Sequence, residues 1–307
     1  MSIVLIFNER AAEPWKNELQ KIDPNLRIDV WPEVQDPSSY TTAVVWKHPR
    51  GTLHQFSNLR LIHSLGAGVD HILSDPDLPQ ANICRIIDDK LAADMSNFII
   101  AGTINFQRNL KQIWLNQQNK VWDKILPVAH SIRIGILGLG ALGQDVAMKL
   151  TQLGFAVYGY SQSPKKLKGI NTFTGEKELQ DMLKQVNVIV CLLPLTTKTK
   201  NILNHSLFLK LQRGSYLINV ARGEHLVEED LIQALEEKQL SGALLDVFRD
   251  EPLPRNHPFW EHPDITVTPH IASITDTASA AQQIVVNHRR ILNNQAPLNQ
   301  IDPDKEY

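Results

Sequence analysis

The run Gly138-Leu139-Gly140-Ala141-Leu142-Gly143 restricts what this chain can become more than any other feature. It follows the apolar segment Ile132-Arg133-Ile134-Gly135-Ile136-Leu137 and opens a helical pattern over Leu142–Leu153. Glycine at the first position permits a tight turn, and at the second it lets a ligand approach the backbone. At the third it lets helix and strand pack closely. The spacing alone is a weak signal, and a glycine-rich turn without a ligand is the plain alternative. Between a strand and a helix, however, it predicts a βα unit whose helix N-terminus offers N–H groups to a pyrophosphate. Gly138, Gly140, Ala141, Leu142 and Gly143 are the candidate contacts.

The surrounding pattern is of the same kind. Ala156–Tyr160, Val188–Leu193, Ser215–Val220, Ala243–Val247 and Ile265–Thr268 read as buried strands, and Glu176–Lys184 and Glu228–Lys238 as the helices between them. Strand and helix alternating in this way predict a doubly wound parallel sheet. Before it, Ser2–Phe7, Ala43–Trp46, Leu61–Leu65 and Ile83–Ile87 read as parallel strands of a second sheet. Leu91 to Asn119 carries apolar residues at helical spacing without a proline and is expected to be one long helix bridging two domains. A last helix is expected at Asp276–Asn293. The fold class is therefore α/β with two doubly wound domains, and a cleft between domains is where ligands usually sit.

The second strand after the glycine loop chooses between nicotinamide cofactors. NAD enzymes usually place Asp or Glu at its end to bind the ribose hydroxyls. Here the segment reads Tyr158-Gly159-Tyr160-Ser161-Gln162-Ser163-Pro164-Lys165-Lys166, with no carboxylate to repel a 2′-phosphate. Ser161, Ser163, Lys165 and Lys166 offer hydroxyl and ammonium groups to such a phosphate, although two lysines also suit an ordinary solvated loop. The expectation is NADPH ahead of NADH.

Composition excludes several other classes. The 31 Lys and Arg against 33 Asp and Glu give no electrostatic reason to expect nucleic acid or an anionic membrane. No apolar run approaches the roughly 20 residues of a membrane helix. The first residues, Met-Ser-Ile-Val-Leu-Ile-Phe followed by Asn8-Glu9-Arg10, fit a strand better than a secretory signal, so a cytoplasmic protein is expected. Cys84 and Cys191 each lie in an apolar run and read as buried thiols, with a bridge between them left open. No His or Cys spacing suggests a metal site.

Three later segments put polar groups at strand ends: Asn219-Val220-Ala221-Arg222-Gly223, Asp246-Val247-Phe248-Arg249-Asp250-Glu251-Pro252-Leu253 and Thr268-Pro269-His270-Ile271-Ala272-Ser273. With the glycine loop and Leu192-Leu193-Pro194-Leu195-Thr196, this ordered set resembles the D-2-hydroxy-acid dehydrogenase family, in its glyoxylate/hydroxypyruvate reductase branch. The resemblance implies a flavodoxin-like substrate domain (1–97 with 284–307) and a Rossmann cofactor domain (98–283). It implies Arg222, Glu251 and His270 as the catalytic residues, acting on a small 2-keto acid. Their chemistry suits that role. Hydride delivery to a keto carbon builds charge on the oxygen, and an imidazolium at His270 can protonate it. A carboxylate at Glu251 favours the charged ring and orients it. Arg222 offers a donor fork to a carboxylate and can polarise the keto oxygen.

By the same resemblance, Leu193, Pro194, Thr196, Val220, Ala221, Asp246 and Ser273 contact the cofactor. Asp246 corresponds to an acid on the nicotinamide carboxamide, with a turn-capping Asp as the alternative. On the substrate side, Leu65-Gly66-Ala67-Gly68-Val69-Asp70 resembles the carboxylate-binding loop, through Ala67 and Gly68. Trp46 resembles a tryptophan that limits substrate size, although a core tryptophan reads equally well. Relatives are usually homodimers, and Trp114 and Trp122 suit an interface formed by the long helix and the segment before Ile132. Two rivals stay open: a dinucleotide-sensing interaction module, and a same-fold enzyme for another small acid such as formate or phosphite.

Overall fold

The computed structural model describes residues 2–7, 12–127 and 131–307. They divide into two compact units, one of residues 1–91 with 275–307 and one of residues 92–274. The boundaries expected near 97 and 284 fall inside helices.

The first unit is built on strands β1 (Ser2–Phe7), β2 (Arg27–Val30), β3 (Tyr40–Trp46), β4 (Leu61–Ser64) and β5 (Asn82–Cys84), with helices α1 (Glu13–Ile22) and α2 (Asp70–Leu73). The strands form an all-parallel sheet in the order β2-β1-β3-β4-β5, the flavodoxin-like arrangement. Both faces are covered, which is why β1 is apolar at successive positions rather than alternating. Ile3 and Leu5 meet Trp15, Leu19, Ala280, Ala281 and Ile284 on one face, and Val4 and Ile6 meet Tyr40, Val45 and Phe56 on the other. The chain's last segment closes the sheet edge. Arg85 N–H donates to the Asn299 carbonyl at 3.2 Å and Ile301 N–H to the Ile83 carbonyl at 2.9 Å. Buried Asn287 exchanges two hydrogen bonds with Leu298, and its amide also lies 3.2 Å from His63 Nε2.

Helix α3 (Asp89–Arg108) leads into α4 (Leu110–Gln118). The expected single helix is broken between them, because Asn109 adopts φ 53°, in the left-handed region. Asparagine enters that region at lower cost than most residues, so the break needs no Gly or Pro.

The second unit carries strands β6 (Arg133–Leu137), β7 (Ala156–Tyr160), β8 (Asn171–Phe173), β9 (Val188–Cys191), β10 (Ser215–Asn219), β11 (Leu240–Leu245) and β12 (Ile265–Val267). Helices α5 (Ala141–Gln152), α6 (Gly175–Leu183), α7 (His205–Phe208) and α8 (Glu228–Glu236) connect them, and α9 (Thr277–Leu292) returns to the first unit. The sheet order is β12-β11-β10-β9-β6-β7-β8, all parallel, which is the Rossmann arrangement extended by one strand. Alternate residues again serve two cores: Ile189, Leu217 and Leu245 on one side, Ile134, Val190, Ile218 and Leu244 on the other. The order reverses between β6 and β9, so their C-terminal ends face the ligand crevice of such sheets. Among the described residues, no helix is long and apolar enough to cross a membrane.

Candidate active site

The glycine loop has the geometry its sequence requires. Gly138 has φ +108°, and a Cβ there would lie 2.6 Å from the Leu192 carbonyl oxygen. A Cβ on Gly143 would fall 1.8 Å from the Gly138 carbonyl oxygen, so α5 can start against the turn only as glycine. A Cβ on Gly140 would meet nothing within 4 Å, leaving open space in front of the first N–H groups of α5, at Ala141 and Leu142. The loop therefore fits a pyrophosphate.

At the end of β7, Ser161 is buried and its hydroxyl donates to the Ser163 carbonyl at 2.7 Å, while Thr172 Oγ1 donates to the Lys165 carbonyl at 2.6 Å. These bonds shape a loop in which Lys165 is half-buried and Lys166 exposed. Neither lysine forms an ion pair among the described residues. The segment that follows β7, residues 161–166, thus carries two lysines and no carboxylate.

Arg222 is held by its turn. Buried Asn219 donates to the Arg222 carbonyl at 3.0 Å and accepts from Ala221 N–H at 3.3 Å. Gly223 lies so close to the next loop that a Cβ would fall 1.9 Å from the Phe248 carbonyl carbon. The Arg222 turn is thereby seated on the loop that carries Glu251. Glu251 Oε1 accepts from Phe248 N–H at 3.1 Å, which leaves Oε2 to meet His270 Nδ1 at 2.9 Å. The imidazole is 32% exposed and the carboxylate 19%, so the pair is accessible but sheltered. His270 has φ +54°. With Nδ1 on Glu251, Nε2 is the nitrogen left for a substrate.

Asp246 does more in the structure than its sequence position suggested. Fully buried, it accepts from Thr268 Oγ1 at 2.6 Å, Ile271 N–H at 2.9 Å and Ala272 N–H at 2.8 Å. Those three donors straddle His270, so Asp246 holds the strained loop; Ser273 follows on the same loop. In the segment expected to meet the cofactor, Thr199 Oγ1 donates to the Pro194 carbonyl at 2.6 Å and lies 3.0 Å from Thr196 Oγ1, shaping the turn after Leu193. Val220 and Ala221 are buried at the C-terminal end of β10. Asn219 and His225 escaped the sequence reading. The only signal for them was a polar residue at a strand end and a histidine three residues past Arg222.

Trp46, Ala67 and Gly68 belong to the first unit. Ser64 Oγ donates to the Gly68 carbonyl at 2.7 Å and accepts from Gly66 N–H at 3.2 Å, which curls the loop. A Cβ on Gly66 would lie 2.7 Å from the Trp46 ring. Trp46 also touches the core around Leu5 and lies 5.0 Å from the His71 ring, so it is partly a core residue and partly the wall of this loop. Among the described residues, no group of three or more His, Cys, Asp or Glu could hold a metal ion.

Residues 100–272 match the family described as D-isomer specific 2-hydroxyacid dehydrogenase, NAD binding domain. The chain is 36% identical over 315 residues to glyoxylate/hydroxypyruvate reductase A of Yersinia enterocolitica, covering all of both proteins. It is 40% identical over 310 residues to the enzyme of that name from Serratia proteamaculans, covering 98% of each. A D-isomer specific 2-hydroxyacid dehydrogenase from Xanthobacter autotrophicus Py2, solved with NADPH and MES, superposes with a TM-score of 0.95 at 36% identity, over 100% of this chain and 99% of that one. An NADPH-dependent glyoxylate/hydroxypyruvate reductase from Sinorhizobium meliloti, solved with NADP and sulfate, gives a TM-score of 0.93 at 31% identity over the same shares. The chain belongs to the D-isomer-specific 2-hydroxyacid dehydrogenase family, in its glyoxylate/hydroxypyruvate reductase branch.

Proposed function

We propose that this protein is an NADPH-dependent reductase that converts a small 2-keto acid, glyoxylate or hydroxypyruvate, to the D-2-hydroxy acid. The observation that carries the chemistry is the His270–Glu251 pair, 2.9 Å apart, with His270 on a loop held by buried Asp246. NADPH supplies the hydride when bound. Glu251 fixes His270 through Nδ1, so His270 Nε2 delivers the proton to the keto oxygen as charge builds there. Arg222 neutralises the substrate carboxylate and polarises the carbonyl. Ala67 and Gly68, whose N–H groups make no hydrogen bond among the described residues, receive the carboxylate, and Trp46 limits what can follow the keto carbon. Gly138, Gly140, Ala141, Leu142 and Gly143 receive the pyrophosphate. Leu193, Pro194, Thr196, Val220, Ala221 and Ser273 line the cofactor, Asp246 anchors that wall, and Ser161, Ser163, Lys165 and Lys166 take the 2′-phosphate.

Two further assignments belong to this reading. The exposed apolar residues Trp114, Val121, Trp122 and Leu126 suit burial against a second copy, so the protein is a homodimer through α4 and the segment after it. Residues 128–130 of that segment lie outside the described residues. The buried, unbridged Cys84 and Cys191 fit the reducing cytoplasm. The test is NADPH and NADH oxidation with glyoxylate, hydroxypyruvate, pyruvate and bulkier 2-keto acids. Turnover favouring glyoxylate and hydroxypyruvate with NADPH is expected. Tight dinucleotide binding without turnover of any of them would instead support the sensing module.

A further inference from the structure

The imidazole of His225 is fully buried and joins two segments of the second unit that are distant in sequence. Its Nδ1 lies 3.2 Å from the backbone N–H donor of Arg222, and its Nε2 lies 3.2 Å from the Pro194 carbonyl oxygen. A carbonyl can only accept, so Nε2 carries the proton. A neutral ring then has its lone pair at Nδ1, where the Arg222 N–H points. The same Nδ1 also stands 3.2 Å from the Arg222 carbonyl oxygen, but a proton there would leave Arg222 N–H facing a donor.

The ring is not what holds these segments in the fold. Asn201 N–H reaches the Glu224 carbonyl at 2.9 Å and Leu203 N–H reaches that of His225 at 2.9 Å, so backbone bonds already align the strips. The Pro194 carbonyl also keeps its bond from Thr199 Oγ1, at 2.6 Å. What the imidazole adds is a direct link from the segment Leu193–Thr196 to the backbone of Arg222.

We propose that His225, as the neutral Nε2–H tautomer, is a positioning residue that couples the Leu193–Thr196 segment to Arg222. Seating the cofactor thereby sets the guanidinium for the 2-keto acid. The inference rests on the proposed placement of NADPH beside Pro194 and of the keto acid at Arg222.

The two ring nitrogens can be separated by substitution. His225→Asn keeps an acceptor near the Nδ1 position and loses the donor to Pro194; His225→Gln keeps a donor near the Nε2 position and loses the acceptor for Arg222. Each loses one buried hydrogen bond, worth about tenfold in the step it supports. His225→Asn is expected to raise the NADPH dissociation constant about tenfold and, with NADPH saturating, also to lower kcat/KM for the keto acid about tenfold, because the seated cofactor no longer sets Arg222. His225→Gln is expected to lose about tenfold in kcat/KM for the keto acid with NADPH affinity within about twofold. Equal losses of both parameters in both variants, following a common fall in Tm, would overturn the coupling. So would two variants that behave like the wild type.

Long-range ¹H–¹⁵N spectra of the wild-type ring, assigned by the signal these variants lose, give a readout independent of folding and turnover. An Nε2–H tautomer near pH 7 is expected, and an Nδ1–H tautomer or an imidazolium overturns the proposal. If the wild type reduced no 2-keto acid, the reaction would fall while the tautomer result still decided the hydrogen-bond assignment.

Discussion

Asp246 holds the Thr268 hydroxyl at 2.6 Å from a site with no solvent exposure, two residues before His270. Its other bonds reach Ile271 and Ala272, so one carboxylate clamps the loop on both sides of the histidine. Asp246→Asn turns one of the acceptors into a donor facing an N–H. Loss of one buried bond of this kind costs about tenfold, and kcat should fall by at least that factor. Stopped-flow single turnovers at saturating NADPH check it; an unchanged hydride-transfer rate would detach the clamp from catalysis.

His270→Ala removes the proposed proton donor and leaves the glycine loop and β7 untouched. Turnover is expected to fall about 10²- to 10⁴-fold, the usual worth of a positioned general acid. NADPH affinity, read by fluorescence titration, should stay within about twofold, since the ring contributes through chemistry rather than binding. A variant retaining wild-type turnover would remove His270 from the mechanism.

Replacing Lys165 and Lys166 together by Ala tests the phosphate preference. The KM for NADPH should rise about tenfold, and that for NADH should stay nearly constant, because NADH has no 2′-phosphate to pair with the ammonium groups. A parallel rise for both cofactors would mean that the loop acts by shape alone.

Two buried histidines of the first unit make its stability depend on pH. Burial pushes both His63 and His288 down to about 4, below the 6.5 of an exposed ring. Between those values the unfolded chain binds more protons than the folded one, so stability is full above pH 6.5 and falls as the pH drops toward 4. The shift corresponds to about 3 kcal/mol per ring. Urea denaturation should show a clearly lower midpoint at pH 5 than at pH 7.5, and His288→Gln should reduce the difference. Equal midpoints would contradict the assignment.

Trp122 is 99% exposed and belongs to the proposed dimer surface. Light scattering should give twice the 34.7 kDa of one chain. Trp122→Glu should shift the population to monomers, and a wild-type monomer would refute the interface.

Strands such as β1 and β9 were legible because both their faces are buried and, Ser2 apart, every position is apolar. Strand β2, Arg27-Ile28-Asp29-Val30, was not: it lies at a sheet edge, where charged residues replace half the signal. The break at Asn109 was hidden because no proline or glycine marks it. In the proposed site, Arg222, Glu251 and His270 could be named from the family resemblance that short runs at strand ends carry. His225 could not, because its role exists only once Pro194 and Arg222 are brought together, 31 and 3 residues away.

The division of the chain has a consequence for how the molecule is made. Residues 92–274 form one uninterrupted unit, whereas the first unit needs residues 1–91 and 275–307 together. On the ribosome, the opening strands emerge before α9 can cover Ile3 and Leu5 and before Asn299–Ile301 can line the edge of β5. The segment synthesised first therefore completes its fold last. Through that interval the apolar strands stay uncovered, and an unpaired sheet edge is open to meeting another.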